Sequence, residues 1–258
     1  GTRHHLGGSF LESLIYSFLA GASTAIGAVL LMLFKSPGKK TMAALLGFAS
    51  GIMIALSVFE LMPESLELGS LFTVIAGFLS ACFMMYVVDS LLPHAHMSLS
   101  SELEVENPDK MSRLDPGILR TGYLIFFGIA LHNIPEGIAI GAGLEARPEL
   151  GLYIAIAIGL HNIPEGIAVA GPLKAGGMSN LRMFAFTLGA GLTTVIGTAI
   201  GLLIFNISSA LVSAALAFAA GAMMYIVNDE LVPKANALNN HLANVGMIAG
   251  LLLGFSLI

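Results

Sequence analysis

One sequence of ten residues occurs twice in this chain and carries the residue types of a metal site. His132-Asn-Ile-Pro-Glu-Gly-Ile-Ala-Ile-Gly141 is repeated as His161-Asn-Ile-Pro-Glu-Gly-Ile-Ala-Val-Ala170. In each copy the histidine and the glutamate are four residues apart, so both project from one face of a helix. Both copies lie in long apolar stretches, where ionisable side chains are costly and normally functional. The repeat therefore indicates a metal ion as the common partner of the two pairs.

The order of residues within each copy suggests how the ligands are shared. The glutamate follows the histidine by four positions and the asparagine by three, so it lies between them on the helix face. Glu136 and Glu165 can then each bridge two metals. Imidazole with carboxylate suits zinc and neighbouring divalent ions, whereas amide and carboxylate oxygens suit harder ions. The alternative, that His132 and His161 are ordinary core histidines, is disfavoured by the doubling of the whole set.

Each copy also contains a proline, at Pro135 and Pro164. A proline has no N–H, and its ring clashes with the carbonyl four residues earlier in a helix. We therefore expect each helix to kink at its motif and to free a carbonyl toward the interior.

The composition is that of an integral membrane protein. The mean hydropathy is +0.88, and 56% of the 258 residues are hydrophobic while only 10% are charged. Soluble domains carry about 25% charged residues, so this chain cannot bury its apolar side chains in a water-soluble fold. Cys82 is the single cysteine, which excludes an intrachain disulfide and a cysteine-cluster metal site. No nucleic-acid partner is expected.

The apolar runs predict an all-α polytopic protein with eight transmembrane helices. Each run is continuously apolar rather than alternating, which favours helices over a barrel, and each is long enough to cross a bilayer. The predicted helices span about 10–34, 42–63, 70–92, 118–144, 150–173, 181–205, 209–231 and 241–258. The polar segment 93–117 is predicted to be a mobile cytoplasmic loop within one transporter domain, 1–258.

The positive charges predict the orientation. Nine Lys and Arg residues fall in connections on one side: Lys35, Lys39, Lys40, Lys110, Arg113, Arg120, Lys174, Arg182 and Lys234. Arg3 and Arg147 fall on the other. By the positive-inside rule, the first side is cytoplasmic and both termini lie outside the inner membrane. The outer connection 64–69 carries Glu64 and Glu67, which we expect to be solvated.

Self-comparison reveals an inverted repeat. At an offset of 170, the matches are Gly21, Thr24, Ile26, Gly27, Leu46, Phe48, Ala49, Gly51, Met53, Glu60, Leu61 and Pro63 with Gly191, Thr194, Ile196, Gly197, Leu216, Phe218, Ala219, Gly221, Met223, Glu230, Leu231 and Pro233. The two motif helices repeat at an offset of 29. The predicted plan is a 3 + 2 + 3 arrangement, with copies of opposite topology. Such repeats are typical of alternating-access carriers.

The two motifs, His-Asn-x-Pro-Glu-Gly on the fourth predicted helix and His-x-x-Pro-Glu-Gly on the fifth, resemble the ZIP (Zrt/Irt-like) family of divalent metal transporters, bacterial branch. The resemblance covers nearly the whole chain and implies a binuclear site on these helices. The implied ligands of the first metal are His132, Glu136, His161, Glu165 and Met53. Those of the second are Asn133, Glu136, Asn162 and Glu165.

The resemblance also implies a relay and exposes a departure. The implied relay has Glu60 at the entrance and an exit through Asp89, His94, His96, Asp229 and Glu230. Many family members carry a glutamate on the sixth helix that helps close the second site. Here the matching stretch ends in Thr193-Thr194, which supplies only hydroxyls. We therefore expect a weaker second metal.

Together these features predict a carrier that moves Zn²⁺, with Fe²⁺, Mn²⁺, Co²⁺ or Cd²⁺ as further substrates, into the cytoplasm. Its partners would be the metal ion and the lipid bilayer, and it would need no catalytic cofactor. The sequence leaves open a homodimer and a passive cation channel. It disfavours an intramembrane zinc protease, because no His-Glu-x-x-His motif is present.

Overall fold

The computed structural model describes residues 6–34, 37–91, 94–95, 105–106, 118–175, 178–205 and 208–257. Ten α-helices and two π-helices occur in these ranges. They are α1 (Leu6–Leu33), α2 (Lys39–Ala55), a first π-helix (Leu56–Leu61), α3 (Met62–Leu68), α4 (Leu71–Leu91), α5 (Ile118–Ala146), α6 (Pro148–Ala175), α7 (Asn180–Gly191), α8 (Thr193–Phe205), α9 (Ser209–Ile226), a second π-helix (Val227–Leu231) and α10 (Val232–Leu257).

Most of these helices belong to stretches that are long enough to cross a membrane. Within the described residues, six helical stretches are long and apolar enough to cross a bilayer: Phe10–Leu33, Lys39–Leu68, Leu71–Leu91, Pro148–Gly171, Asn180–Leu203 and Ser209–Leu257. The last contains 49 residues, against the roughly 20 that one crossing needs. Its backbone leaves the helical conformation at Asn239, with φ −169° and ψ 106°. The chain is therefore a helical polytopic membrane protein, as the composition predicts.

The helices pack as two bundles. The first bundle consists of α1, α5, α6, α7 and α8, and its most extensive contacts join α1 to α6 and α5 to α8. The second bundle consists of α2, α3, α4, α9 and α10, and there α2 packs along α10 and α4 along α9. Contacts of α5 with α9 and of α2 with α6 join the two bundles. The duplicated motifs on α5 and α6 therefore lie in one bundle and face the other.

Glycines allow the closest helix contacts in the first bundle. A Cβ on Gly137 would collide with the carbonyl of Thr194, and one on Gly166 with the carbonyl of Thr24. Such close backbone approach is how membrane helices gain packing energy without a hydrophobic driving force between them. The two contacts are related by the offsets of 29 and 170 that relate the sequences.

The second bundle is held in the same way. Gly246 lies against the carbonyl of Ala44 and Gly250 against that of Phe48, so α10 runs closely along α2. On the other pair of helices, Gly221 of α9 meets the carbonyl of Phe78. The glycine contacts named here join helices of the same bundle, so each bundle is a closely packed unit.

Two parts of the structure differ from the expectations above. The segment 64–69, expected to be an outer loop, is helical through Leu68. Pro63 is the second residue of that last helical piece, which continues directly from the first π-helix. The second difference lies within the 93–117 segment, where His94–Ala95 and Val105–Glu106 form a short antiparallel pair. Its remaining positions lie outside the described residues.

The glycine contacts generate a stability prediction. Gly250→Ala places a methyl group against the backbone of Phe48, and overpacking of this kind costs about 1–3 kcal/mol. Gly159→Ala is the matched control, because the nearest atom to its Cβ position is Ser23 Oγ at 3.8 Å, an ordinary van der Waals contact, and alanine favours helix by about 0.8–1.0 kcal/mol. Thermal unfolding in detergent should show a lower melting temperature for the first variant and an equal or higher one for the second. Equal losses in both would contradict the packing described here.

Candidate metal centre

The two motifs bring four ionisable side chains together in the interior. His132 and Glu136 are one helical turn apart on α5, and His161 and Glu165 hold the same positions on α6. All four are buried, with exposed fractions of 0–3%. Their ligand atoms all lie within 4.8 Å of one another. The structure thus places the four side chains in one cluster, although they belong to two helices.

Each histidine lies close to both glutamates. The Nε2 atom of His161 is 2.7 Å from Oε1 of Glu136 and 3.8 Å from Oε2 of Glu165. The Nε2 atom of His132 is 3.3 Å from Oε1 of Glu136 and 3.4 Å from Oε1 of Glu165. The two imidazole rings are 6.1 Å apart between centroids and are inclined by 49°. All four Nε2–carboxylate pairs therefore surround one small volume.

These spacings match a tetrahedral metal. Zn²⁺ binds imidazole nitrogen and carboxylate oxygen at about 2.0–2.2 Å, which separates neighbouring tetrahedral ligands by about 3.3 Å. The four His–Glu distances of 2.7–3.8 Å bracket that separation. Nδ1 of His161 lies 3.4 Å from the carbonyl of Ala157, and donation from Nδ1–H leaves the Nε2 lone pair for a metal. The donor set is that of a site for a divalent metal.

The asparagines next to the histidines tie the cluster to the neighbouring helices. The amide of Asn162 donates to the carbonyl of Ala20 on α1 at 2.8 Å, and that of Asn133 donates to Ala190 on α7 at 3.0 Å. The two bonds are related by the same offsets as the glycine contacts. Both Oδ1 atoms are buried without a hydrogen-bond partner. Because buried oxygens are normally satisfied, these atoms are available to a ligand beside the cluster.

Thr193 and Thr194, in the stretch where many ZIP proteins carry a glutamate, have different surroundings. The hydroxyl of Thr193 donates to the carbonyl of Ala190 at 2.6 Å, whereas the buried hydroxyl of Thr194 has no hydrogen-bond partner. Thr24, its match in the first repeat, is buried and unpartnered in the same way. The repeat at an offset of 170 pairs these two threonines, but the sequence pattern did not indicate Thr24 as a residue of the site.

Met53 lies in the other bundle. It is fully buried on α2, a helix that packs against α6. Its role as a thioether ligand from the second bundle stays a prediction.

The relay residues lie in different environments. Glu60 is buried in the first π-helix, and Glu230 occupies the matching place in the second. Glu230 pairs with Lys234 one turn later, at 3.7 Å. Asp89 is half-buried near the end of α4 and Asp229 is exposed. His94 is in the short strand pair with its side chain undescribed, and His96 lies outside the described residues. The relay through these residues stays a prediction.

One cluster was not foreseen. Glu64, expected to be solvated, is buried and accepts hydrogen bonds from Arg147 Nε at 3.1 Å and Nη2 at 2.7 Å. The same Nη2 lies 3.5 Å from Oε1 of Glu60. The hydrogen bond to Glu64 raises the pKa of the Arg147 guanidinium, which stays charged. The four-residue spacing of Glu60 and Glu64 was the feature of the sequence that could have indicated a shared partner.

A buried cluster of two histidines and two glutamates that fits a metal site, in a polytopic helical bundle, indicates a membrane protein that handles divalent metal ions. Comparison with known proteins agrees. Residues 100–258 match the family described as ZIP Zinc transporter. The zinc transporter ZupT of Escherichia coli O7:K1 (strain IAI39 / ExPEC) is 37% identical over 251 residues, which are 95% of each chain. The same figures hold for ZupT of strains O1:K1 / APEC and O9:H4 (strain HS).

The chain therefore belongs to the ZIP family. It is a transporter of divalent metal ions and not an enzyme, as the motifs predict.

The environment of Thr194 generates a metal-binding prediction. We expect one tight and one weak metal per chain, because the weaker site has hydroxyl and amide oxygens where a further carboxylate is missing. Thr194→Glu should raise the affinity of the weaker site by about an order of magnitude, since each added charged oxygen ligand strengthens binding. Calorimetric titration of the purified protein measures both affinities.

Thr194→Val is the matched control, because it keeps the shape of the side chain and removes its oxygen. It should weaken the second site and leave the first unchanged. Two equally tight sites in the unmodified protein would contradict the prediction.

Proposed function

We propose that the chain is a zinc uptake carrier, which binds Zn²⁺ at the His132/Glu136/His161/Glu165 cluster and releases it into the cytoplasm. The single observation that carries the proposal is that this cluster brings two imidazoles and two carboxylates to tetrahedral ligand spacing inside a membrane bundle. Two carboxylates with two neutral imidazoles balance the charge of one divalent cation. Fe²⁺, Mn²⁺, Co²⁺ and Cd²⁺ are proposed as secondary substrates, since the same ligands accept them with different affinity.

The proposed ligand sets follow the family resemblance. The first metal takes the four clustered side chains and the Met53 thioether. The second takes both glutamates and the Oδ1 atoms of Asn133 and Asn162. What supports the second set is that both Oδ1 atoms are buried and unpartnered while their amide groups are anchored elsewhere. Glu60 is proposed for the entrance, and Asp89, His94, His96, Asp229 and Glu230 for the exit.

The proposed topology has eight crossings in a 3 + 2 + 3 inverted repeat. Counting α5 as a span and dividing the stretch from Ser209 to Leu257 at Asn239 brings the total to eight. The repeated contacts support the symmetry: Asn133 with Ala190 has its counterpart in Asn162 with Ala20. Inverted repeats that hold a site between them are the usual framework of alternating access, which favours a carrier over a passive channel.

The proposed orientation places both termini outside. Lys174 donates to the carbonyl of Leu31, so the ends of α1 and α6 lie at the same end of the bundle. Arg147 reaches Glu64, so the α5–α6 connection lies with the end of α3 at the opposite end. Both pairings agree with the sides that the charge count assigns.

Removal of either shared glutamate should stop transport. In proteoliposomes, Glu136→Ala and Glu165→Ala should each reduce Zn²⁺ uptake by more than about a hundredfold, because loss of a direct ligand exceeds the 10–100-fold effect of an outer-shell partner. Glu67→Ala is the control, since it removes the same charge from an exposed position on α3. Uptake by either cluster variant at the rate of the control would exclude the shared site.

Transport should also fall as the pH is lowered. A protonated imidazole cannot ligate a metal, and histidine in water takes up its proton around pH 6.5, so protons and metal compete for the same nitrogens. With two histidines in one site the loss should be steeper than a single titration. Uptake from pH 8 to pH 5 in the unmodified protein and in His132→Gln/His161→Gln tests this. Identical affinity and pH profile in both proteins would mean that the histidines are not ligands.

A further inference from the structure

The α2 helix and its continuation carry a stripe of buried side chains that leads away from the level of the metal cluster. Met53, Ser57, Glu60 and Glu64 follow one another along this segment at spacings of four, three and four. Glu60 and Glu64 share one side, because both contact Arg147. All four are buried, with exposed fractions of 0–7%. The Ser57 hydroxyl has no hydrogen-bond partner. Apolar packing does not require this run of thioether, hydroxyl and carboxylates.

The stripe ends at Arg147. This residue is in the short connection between α5 and α6, so it belongs to the first bundle, whereas both of its glutamate partners belong to the second. Glu64 is the closer partner, at 2.7 Å against 3.5 Å for Glu60. The Arg147 side chain is half exposed while the two carboxylates are nearly fully buried. The guanidinium therefore covers the carboxylates from the solvent side and joins the bundles.

The opposite end of the repeat is built differently. An offset of 170 carries Glu60 to Glu230 and Glu64 to Lys234. There the second position is itself the cation, and Glu230 and Lys234 pair within one helical segment at 3.7 Å. At the Arg147 end both matching positions are acidic and the cation comes from the other bundle.

We propose that Arg147 is a latch: its ion pairs with Glu64 and Glu60 hold the two bundles together and close the entrance that the Met53–Glu64 stripe lines. The proposal rests on the proposed transport function, because a latch has a use only where this end must open and close. Opening requires the guanidinium to leave the carboxylates, which are then free to face an incoming cation. Arg147 is a positioning residue, since it acts on the bundles and not on the bound metal.

The test measures whether this end opens when the latch is removed. Ser57→Cys in a Cys82→Ala background places one thiol on the stripe, at a position that is fully buried. A charged, water-soluble methanethiosulfonate reagent is added to the full chain in lipid nanodiscs, where it reaches both faces, and modification is followed by mass. Arg147→Ala should raise the modification rate on the order of tenfold, within the range of usual coupling between two elements. Arg147→Lys should give an intermediate rate, because it keeps the positive charge but cannot donate the paired Nε and Nη2 hydrogen bonds to Glu64.

Arg182→Ala is the matched control, because it removes the same charge from an exposed arginine on α7 and should leave the rate unchanged. If Arg147→Ala does not fold, Arg147→Gln/Glu64→Gln removes both charges together and should still expose the thiol. A folded variant of either kind with an unchanged rate would overturn the latch. So would a lower melting temperature without a change in rate, which is the result expected of a purely structural ion pair.

A second experiment locks the same end. Arg147→Cys/Glu64→Cys in the Cys82→Ala background is joined by a short reducible bis-methanethiosulfonate linker, and Zn²⁺ flux is measured before linking, after linking and after reduction. Linking should stop the flux and reduction should restore it, whereas each single-cysteine variant should show the same flux after treatment with the linker as before it. Flux that survives the linker would overturn the latch. Absence of flux in the unlinked protein would instead count against the proposed function, and the nanodisc measurement of Ser57→Cys would still decide the latch.

Discussion

The enclosure of two carboxylates and two imidazoles in an apolar helical bundle is the constraint on which the rest of this structure depends. Glu136 and Glu165 have almost no exposure to solvent. An ionised carboxylate that is removed from water is strongly destabilised unless a counter-charge and hydrogen bonds replace its hydration. In the described residues around this cluster the candidate counter-charges are the two histidines. A divalent cation at the centre of the four side chains compensates both carboxylates at once.

That constraint acts on the helices that surround the cluster. The motif helices must approach α1, α7 and α8 closely enough to exclude water, and glycines at Gly137 and Gly166 make this approach feasible. The Nδ2 groups of Asn133 and Asn162 donate to carbonyls of neighbouring helices, whereas their Oδ1 atoms have no hydrogen-bond partner. Each of these devices occurs twice because the repeat duplicates the framework. Each copy of the motif supplies one histidine and one glutamate, so both copies are needed to form the four-residue cluster.

The contacts within each bundle differ in kind from the ion pairs between the bundles. Close backbone contacts through glycine hold each bundle internally, as between Gly250 and Phe48. The ion pairs of Arg147 cross from one bundle to the other. Van der Waals contacts between backbones are lost over a fraction of an ångström, whereas an ion pair at a wet edge can break and be replaced by water at small cost. The ion pairs between the bundles are therefore contacts suited to change during a transport cycle.

Much of the site was predictable from local sequence. Helical periodicity alone places His132 and Glu136 on one face, and the repetition of that face on α6 indicates a shared partner. Length and apolarity predict the membrane helices for the same reason, since they depend on neighbours along the chain. The expectations failed where the deciding contact was distant. Glu64 reads as a solvated residue of an acidic connection, because nothing near it shows that Arg147, from the α5–α6 connection, would bury and neutralise it.

The sequence by itself determined the membrane class, the residue types of the metal site and the internal repeat, because composition, spacing and self-similarity are properties of the chain. The tertiary structure decided which side chains meet. The His–Glu distances across α5 and α6, the anchoring of Asn162 on Ala20 and the ion pairs of Arg147 all depend on how helices far apart in sequence are placed in space. The π-helices around Glu60 and Glu230 also belong to this group. A π turn inside an α-helix is rare and short, and the apolar pattern did not indicate one.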